Sequence, residues 1–234
     1  MPALQRMPPI ELPVPKLAEI GTHWHASALT LPKAWGEKVG DLCDRTVGKC
    51  LAEMLGGIPV VKPTKSTALL PPKPDCVEVG PARVIGGIRP QNFDVAYRPD
   101  GVRFAFDSKT LNTRKSLSKN YQNMINDLGT EAATVHTRFP SAIVAFIVAV
   151  PEPCLATHRK NLTTALSRLA GRRSTNGDVH KAEAISLLVW NPHDGSIEAS
   201  WPSNGSPLRI EEFSTQVELC YTDRYAGLPP HNRD

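Results

Sequence analysis

Between Asn92 and Thr110 the chain reads NFDVAYRPDGVRFAFDSKT. Two acids, Asp94 and Asp107, and one lysine, Lys109, stand in short apolar runs whose other members are built for burial. Neighbouring carboxylates repel, and such a pair is held cheaply when a cation neutralises it. Oxygen donors with water are what Mg2+ prefers, and a nearby ammonium can orient a water or offset charge on a phosphoryl oxygen. These residue types therefore allow metal-assisted hydrolysis. The competing reading is an ion pair on the solvent face of a hairpin, worth little.

Strand geometry decides whether the acids meet, because side chains alternate between the two faces. With Pro99 and Asp100 at the centre of the turn, Tyr97 faces Val102, Val95 faces Phe104 and Phe93 faces Phe106, all apolar. The other face carries Asp94, Ala96, Arg98, Arg103, Ala105, Asp107 and Lys109. Asp94 then lies opposite Ala105, with Asp107 its diagonal neighbour about 7 Å away at the backbone, within reach of one shared ion. The small Ala96 and Ala105 predict an open ledge above the sheet. Asp100, in the turn, is roughly 23 Å from Asp107 at about 3.3 Å per residue, too far to share an ion.

The flanking elements must hold this hairpin. Residues 1–16 are proline-rich and predict an extended arm that could pack on a partner. The run PKAWGEKVGDLCDRTVGKCLAEMLGG spaces Val39, Leu42, Val47, Leu51 and Leu55 as a helix would and stops at Gly56-Gly57. IPVVKPTKSTALLPPKPD reads as a connector with short extended pieces. A helix is expected from about Asn120 to Thr137, and SAIVAFIVAV is a strand buried on both faces. LATHRKNLTTALSRLAGRR predicts a basic amphipathic helix, and AISLLVWN with IEASWP a second hairpin. The order gives an α/β fold, a central mixed β-sheet flanked by helices.

Phe93-Asp94, followed at a distance by Asp107-Ser108-Lys109 inside a hairpin, resembles the PD-(D/E)XK nuclease superfamily, to which most type II restriction endonucleases belong. The order of helix, hairpin, helix and strand from about Pro32 to Trp201 is similar to that superfamily's core. The resemblance implies a restriction-endonuclease-like domain over 32–234 behind an arm at 1–31. It implies that Asp94, Asp107 and the backbone carbonyl of Ser108 bind Mg2+ and that Lys109 assists the attacking water. It also implies an acid on the first core helix: Glu37 matches, with Asp41 and Asp44 as alternatives one and two turns later. Phe replaces the motif's Pro, and Asp its Glu.

Past Lys109, Arg114, Lys115 and Lys119 alternate with Asn112, Asn120, Gln122 and Asn123. Basic side chains neutralise phosphates, and Asn or Gln can pair with base edges, so this stretch is a candidate DNA contact or else a solvated loop. The helix with His158, Arg159, Lys160, Arg168, Arg172 and Arg173 could follow backbone phosphate or be a charged outer face. His23-Trp24-His25 lacks the partners of a zinc site. The net charge of +4, from 27 basic and 23 acidic residues, permits an anionic partner without demanding one. Five scattered cysteines fit reduced thiols in a cytoplasmic protein, and no apolar run is long enough to cross a membrane.

The reading these features give is a Mg2+-dependent deoxyribonuclease of the type II restriction kind, acting on double-stranded DNA as a homodimer. Two rivals stand beside it: a structure-selective or nonspecific nuclease in repair or phage defence, and a catalytically silent DNA-binding module.

Overall fold

The apolar run Ile143–Pro151 becomes a strand, β5, with all nine residues buried, and Ala184–Trp190 beside it, β6, is buried throughout. Parallel strands buried on both faces need helices above and below, and the computed structural model has them. It describes residues 4–155 and 158–231. Residues 1–3 of the arm, and Ala156 and Thr157 of the expected basic helix, lie outside the described residues.

Six strands form one mixed sheet in chain order. β1 (Val60–Val61) runs parallel to β2 (Val77–Ile85), and β2, β3 (Pro90–Tyr97) and β4 (Phe104–Thr110) are antiparallel. β4, β5 and β6 then run parallel. One face is covered by α1 (Val14–Gly21), α2 (Lys33–Met54) and α6 (Ile210–Tyr225), which pack Val39, Val47, Leu51 and Phe213 on Phe104 and Phe106. The other face is covered by α3 (Leu117–His136), α4 (Glu152–Leu155) and α5 (Arg159–Leu169), with Leu128, Val135 and Leu162 against Phe146 and Val148. The α/β class and the helix-flanked mixed sheet are as the sequence indicates.

Several expectations are corrected. Ala96 and Ala105 are fully buried, so the ledge above the hairpin is closed by the helical layer on that face. The proline-rich arm packs on its own chain. Met7, Ile10 and Leu12 are buried, the Gln5 N–H donates to the Met54 carbonyl (2.8 Å) and Ser214 Oγ to the Pro8 carbonyl (2.6 Å). The arm thus straps α2 to α6, and residues 14–21 of the expected arm are helical. IEASWP adds only an isolated bridge, Trp190–Ile197, to β6 instead of a hairpin. β2 and α6 were not foreseen.

Candidate functional site

The register of β3 and β4 pairs Val95 with Phe106, Ala96 with Ala105 and Tyr97 with Phe104. The turn is therefore centred on Asp100-Gly101, one residue later than expected. Gly101 takes a positive φ of 125°, the Arg103 N–H closes on the Tyr97 carbonyl at 3.0 Å, and the Arg103 guanidinium clamps the Asp100 carboxylate. Moving the turn by one residue shifts the pairing by two, which keeps the residue parity of the ladder. The expected face is not kept at Phe93, which packs with Ala105 on the α3 side, while Val95, Tyr97, Phe104 and Phe106 pack on the α2 side. Asp94 comes level with Asp107 instead of diagonal to it. Beyond Val95–Phe106 the ladder stops, and the Asp94 carboxylate accepts the Ser108 backbone N–H at 3.1 Å.

Helix α2 completes one side of this group through a row of small residues. Gly36, Gly40, Asp44 and Gly48 recur every fourth position, a ridge on one helix face. A Cβ at Gly40 would stand 3.0 Å from Ser108 Oγ, and Cβ atoms at Gly36 and Gly48 would overlap Asn112 and Val79. The helix therefore presses on the strands, and Asp44 alone in that row projects a side chain, over Ser108 and towards Asp94. Its carboxyl is pushed up to about 8, by burial first and by the charge of Asp94 next. Its Oδ1 is buried with no hydrogen-bond partner.

On the other side stands Glu131 of α3. Lys109 Nζ donates to Asp107 Oδ2 and, at 2.9 Å, to Glu131 Oε1. Burial works against the ammonium, but the charges of Asp107 and Glu131 overcome it and hold the lysine above its usual pKa. Burial, with Asp94 hydrogen-bonded beside it, pushes the Asp107 carboxyl well above the usual range, although Lys109 opposes the shift. Glu131 is 5% exposed, and its Oε2, like Asp44 Oδ1, is a buried orphan. One ammonium thus faces a surplus of carboxylates.

Of the foreseen residues, Asp94, Asp107, Ser108 and Lys109 come together. Glu37 does not join them. Its side chain is 63% exposed and pairs with Lys33 at 3.6 Å, and it lies two turns, about 10 Å, along the axis from Asp44. Asp41 is exposed one turn before Asp44. Arg114 and Lys115 are exposed in a short 3-10 turn before α3, and Lys119, Asn120, Gln122 and Asn123 are exposed on its first turns. Asn112 instead wedges against Gly36 and donates to Thr110 Oγ1 at 3.0 Å. The basic helix ends at Leu169, so Arg172 and Arg173 lie beyond it. Arg172 is buried on Glu183 (2.9 Å), and within the helix Arg159 pairs with Glu152 (2.6 Å) while Lys160 and Arg168 are exposed. His23 stacks on Trp35 at 3.4 Å, and all five cysteines are free and buried.

Glu131 escaped the sequence reading, though its signal was present: an acid among the buried positions Met124, Leu128, Ala132 and Val135 of one helix. As to metal, among the described residues no group of three His, Cys, Asp or Glu side chains is arranged to hold an ion. The donor chemistry nonetheless fits a hard cation: the carboxylates of Asp94 and Asp107 meet where the β3–β4 ladder stops, and Asp44 Oδ1 beside them is buried and unpartnered. Among the described residues no helix is long and apolar enough to cross a membrane. Comparison of the chain with protein-family models, with curated proteins and with solved structures finds no match.

Proposed function

We propose that this chain is a Mg2+-dependent DNA endonuclease with a restriction-endonuclease-like core, cutting double-stranded DNA in the manner of a type II enzyme. The observation that supports this most is the meeting of Asp94, Asp107 and Lys109 at one end of an antiparallel hairpin, with Asp44 facing them from α2. Nothing structural calls for such a concentration of buried negative charge, which destabilises the fold it sits in. The succession α2, hairpin β3–β4, α3 and β5 supports the same reading, being the helix, hairpin, helix and strand of the resemblance with β2 added before the hairpin.

Asp94, Asp107 and the Ser108 carbonyl would hold the ion, with Asp44 as a further oxygen donor in the place first given to Glu37. A bound Mg2+ supplies Lewis acidity, lowering the pKa of a water and offsetting charge on phosphorus oxygens. Lys109 orients the attacking water and stabilises the charge that develops on the phosphoryl group. Glu131 keeps the ammonium in place. The exposed Arg114, Lys115 and Lys119 neutralise phosphate, and Asn120, Gln122 and Asn123 reach base edges. Cutting both strands of a two-fold site calls for a homodimer.

The test is digestion of unmethylated phage DNA with Mg2+ and with EDTA. Discrete bands with Mg2+ alone are expected. A smear would replace the sequence-specific reading by the nonspecific one, and binding without any cleavage would leave a silent DNA-binding module.

A further inference from the structure

The carboxylate cluster reaches the surface on the side of α2 through Asp44. A cleft of about 290 Å³ there is lined by Asp44 itself, by Arg45 and Lys62, and by the bulge at Gly80-Pro81 that indents β2. Gly80 adopts a φ of 123°, so the indentation depends on a residue without a side chain. Arg45 and Asp41 are shared with a second hollow of about 320 Å³ that continues along α2 to Trp35 and Lys38. The two adjoin at Asp41 and Arg45, and together, as a groove, they lie between the aromatic stack of His23, Trp35 and Lys38 and the edge of the cluster.

The cations along this groove are unlike the others on the same helix. Lys33 and Lys49 are paired with Glu37 and Glu53 at the next turn. Among the described residues Lys38, Arg45 and Lys62 form no salt bridge, and all three are exposed. Lys38 and Arg45, seven residues apart, stand on one face of α2 about 10 Å apart along its axis. That span matches about three base-pair rises of about 3.4 Å along a duplex axis. The acids of the groove are Glu19, Asp41 and Asp44. Glu19 is paired with Lys16 at 2.9 Å, which leaves two acids beside the three cations without a salt bridge, and Asp44 belongs to the cluster that a metal would neutralise.

We propose that this groove is a second phosphate track for the nucleic-acid substrate, on the opposite face of the sheet from Arg114, Lys115 and Lys119. Lys38, Arg45 and Lys62 bind backbone phosphates of the strand entering the carboxylate cluster, so the substrate is gripped by cations of both helical layers with the reacting phosphate between them. The contacts are electrostatic and independent of sequence. The inference rests on the nuclease reading given above.

The experiment measures anisotropy of a short fluorescein-labelled DNA duplex of mixed sequence, titrated with the full chain in EDTA over a series of salt concentrations. The double variant Arg45→Ala/Lys62→Ala is compared with Lys33→Ala/Lys49→Ala, which removes the same charge from outside the groove. The groove variant is expected to bind several-fold more weakly and to lose about 0.9 from the salt slope for each lost phosphate contact. The control variant should match wild type. Equal behaviour of the two variants, with wild type binding normally, overturns the second track and leaves the nuclease reading standing. A wild-type chain that neither binds the duplex nor cleaves DNA with Mg2+ overturns both.

Discussion

Lys109 reaches two carboxylates at once, and the balance of charge around it sets what each neighbour does. Asp107 is buried, touches Asp94 and carries a raised pKa, so its charge costs stability even with Lys109 beside it, unless a metal ion is bound. Asp107→Asn keeps the shape and removes that charge. Its melting temperature in EDTA should rise by about 2–4 °C for each kcal/mol relieved, while DNA cleavage falls about 10²–10³-fold. Such opposition of stability and activity marks a working site; a fall in melting temperature would show that Asp107 is structural. Glu131 acts through the lysine. Glu131→Gln should slow single-turnover cleavage by about tenfold, the loss of one charge-assisted hydrogen bond of about 1.4 kcal/mol, and leave duplex affinity in EDTA unchanged. A parallel loss of affinity would contradict the positioning role. At this scale the sequence told much. Period-two alternation brought Asp94, Asp107 and Lys109 close together, although the alternation breaks at Phe93, and Asp94 meets Ser108 and α2 while Asp107 and Lys109 face Glu131 of α3. Asp44 and Glu131 were harder to select because each comes from a helix whose rotation is set only by packing.

Elements hold these residues by contact, and α2 does so by lacking side chains. Gly48→Ala would put a methyl group into Val79 and lift the helix near Asp44. It should cost about 1–3 kcal/mol in denaturant unfolding and reduce cleavage more than a change of that size elsewhere in the fold. The small-residue row was visible in the sequence once read every fourth position. β2 was hidden because Gly80-Pro81 reads as a break and Glu78 as a surface acid, yet the first is a bulge and the second a buried partner of Arg98 at 2.7 Å. α6 was hidden because Ser214 and Gln216 interrupt its buried stripe. Glu183, just before β6, ties three elements together: it accepts from Arg172 (2.9 Å), Arg224 (2.8 Å) and the Val144 N–H (2.8 Å), and meets His136 at 3.1 Å. Burial alone would raise its carboxyl, but the His136 hydrogen bond and the charges of His136 and Arg224 hold it below its usual 4.5. A carboxyl lowered by folding stabilises above its unfolded pKa, so its contribution is complete above about pH 4.5 and is lost as the pH falls below that. Glu183→Gln should cost about 3–5 kcal/mol at neutral pH and flatten the acid limb of the stability profile, as urea melts across pH would record.

Across the whole molecule, two helical layers cover one sheet, and the site lies where the β3–β4 ladder stops, between α2 on one face and α3 on the other. The proline-rich arm fastens α2 to α6 within one chain, so the wall that carries Asp44 is braced from behind. That packing was illegible beforehand, since proline-rich composition fixes an extended backbone but not the surface it lies on. The layer order and the apolar β5 were legible because a run buried on both faces demands cover on each side. What this architecture delivers is a cluster of acids beside a lysine, with exposed cations on both helical layers. The direct measurement is Mg2+-dependent cleavage of plasmid DNA by wild type, Asp94→Ala, Asp107→Ala and Asp100→Ala, with duplex binding recorded for each. Wild type and Asp100→Ala should cut, whereas Asp94→Ala and Asp107→Ala should bind DNA and leave it whole. Undiminished cutting by Asp94→Ala would contradict the account.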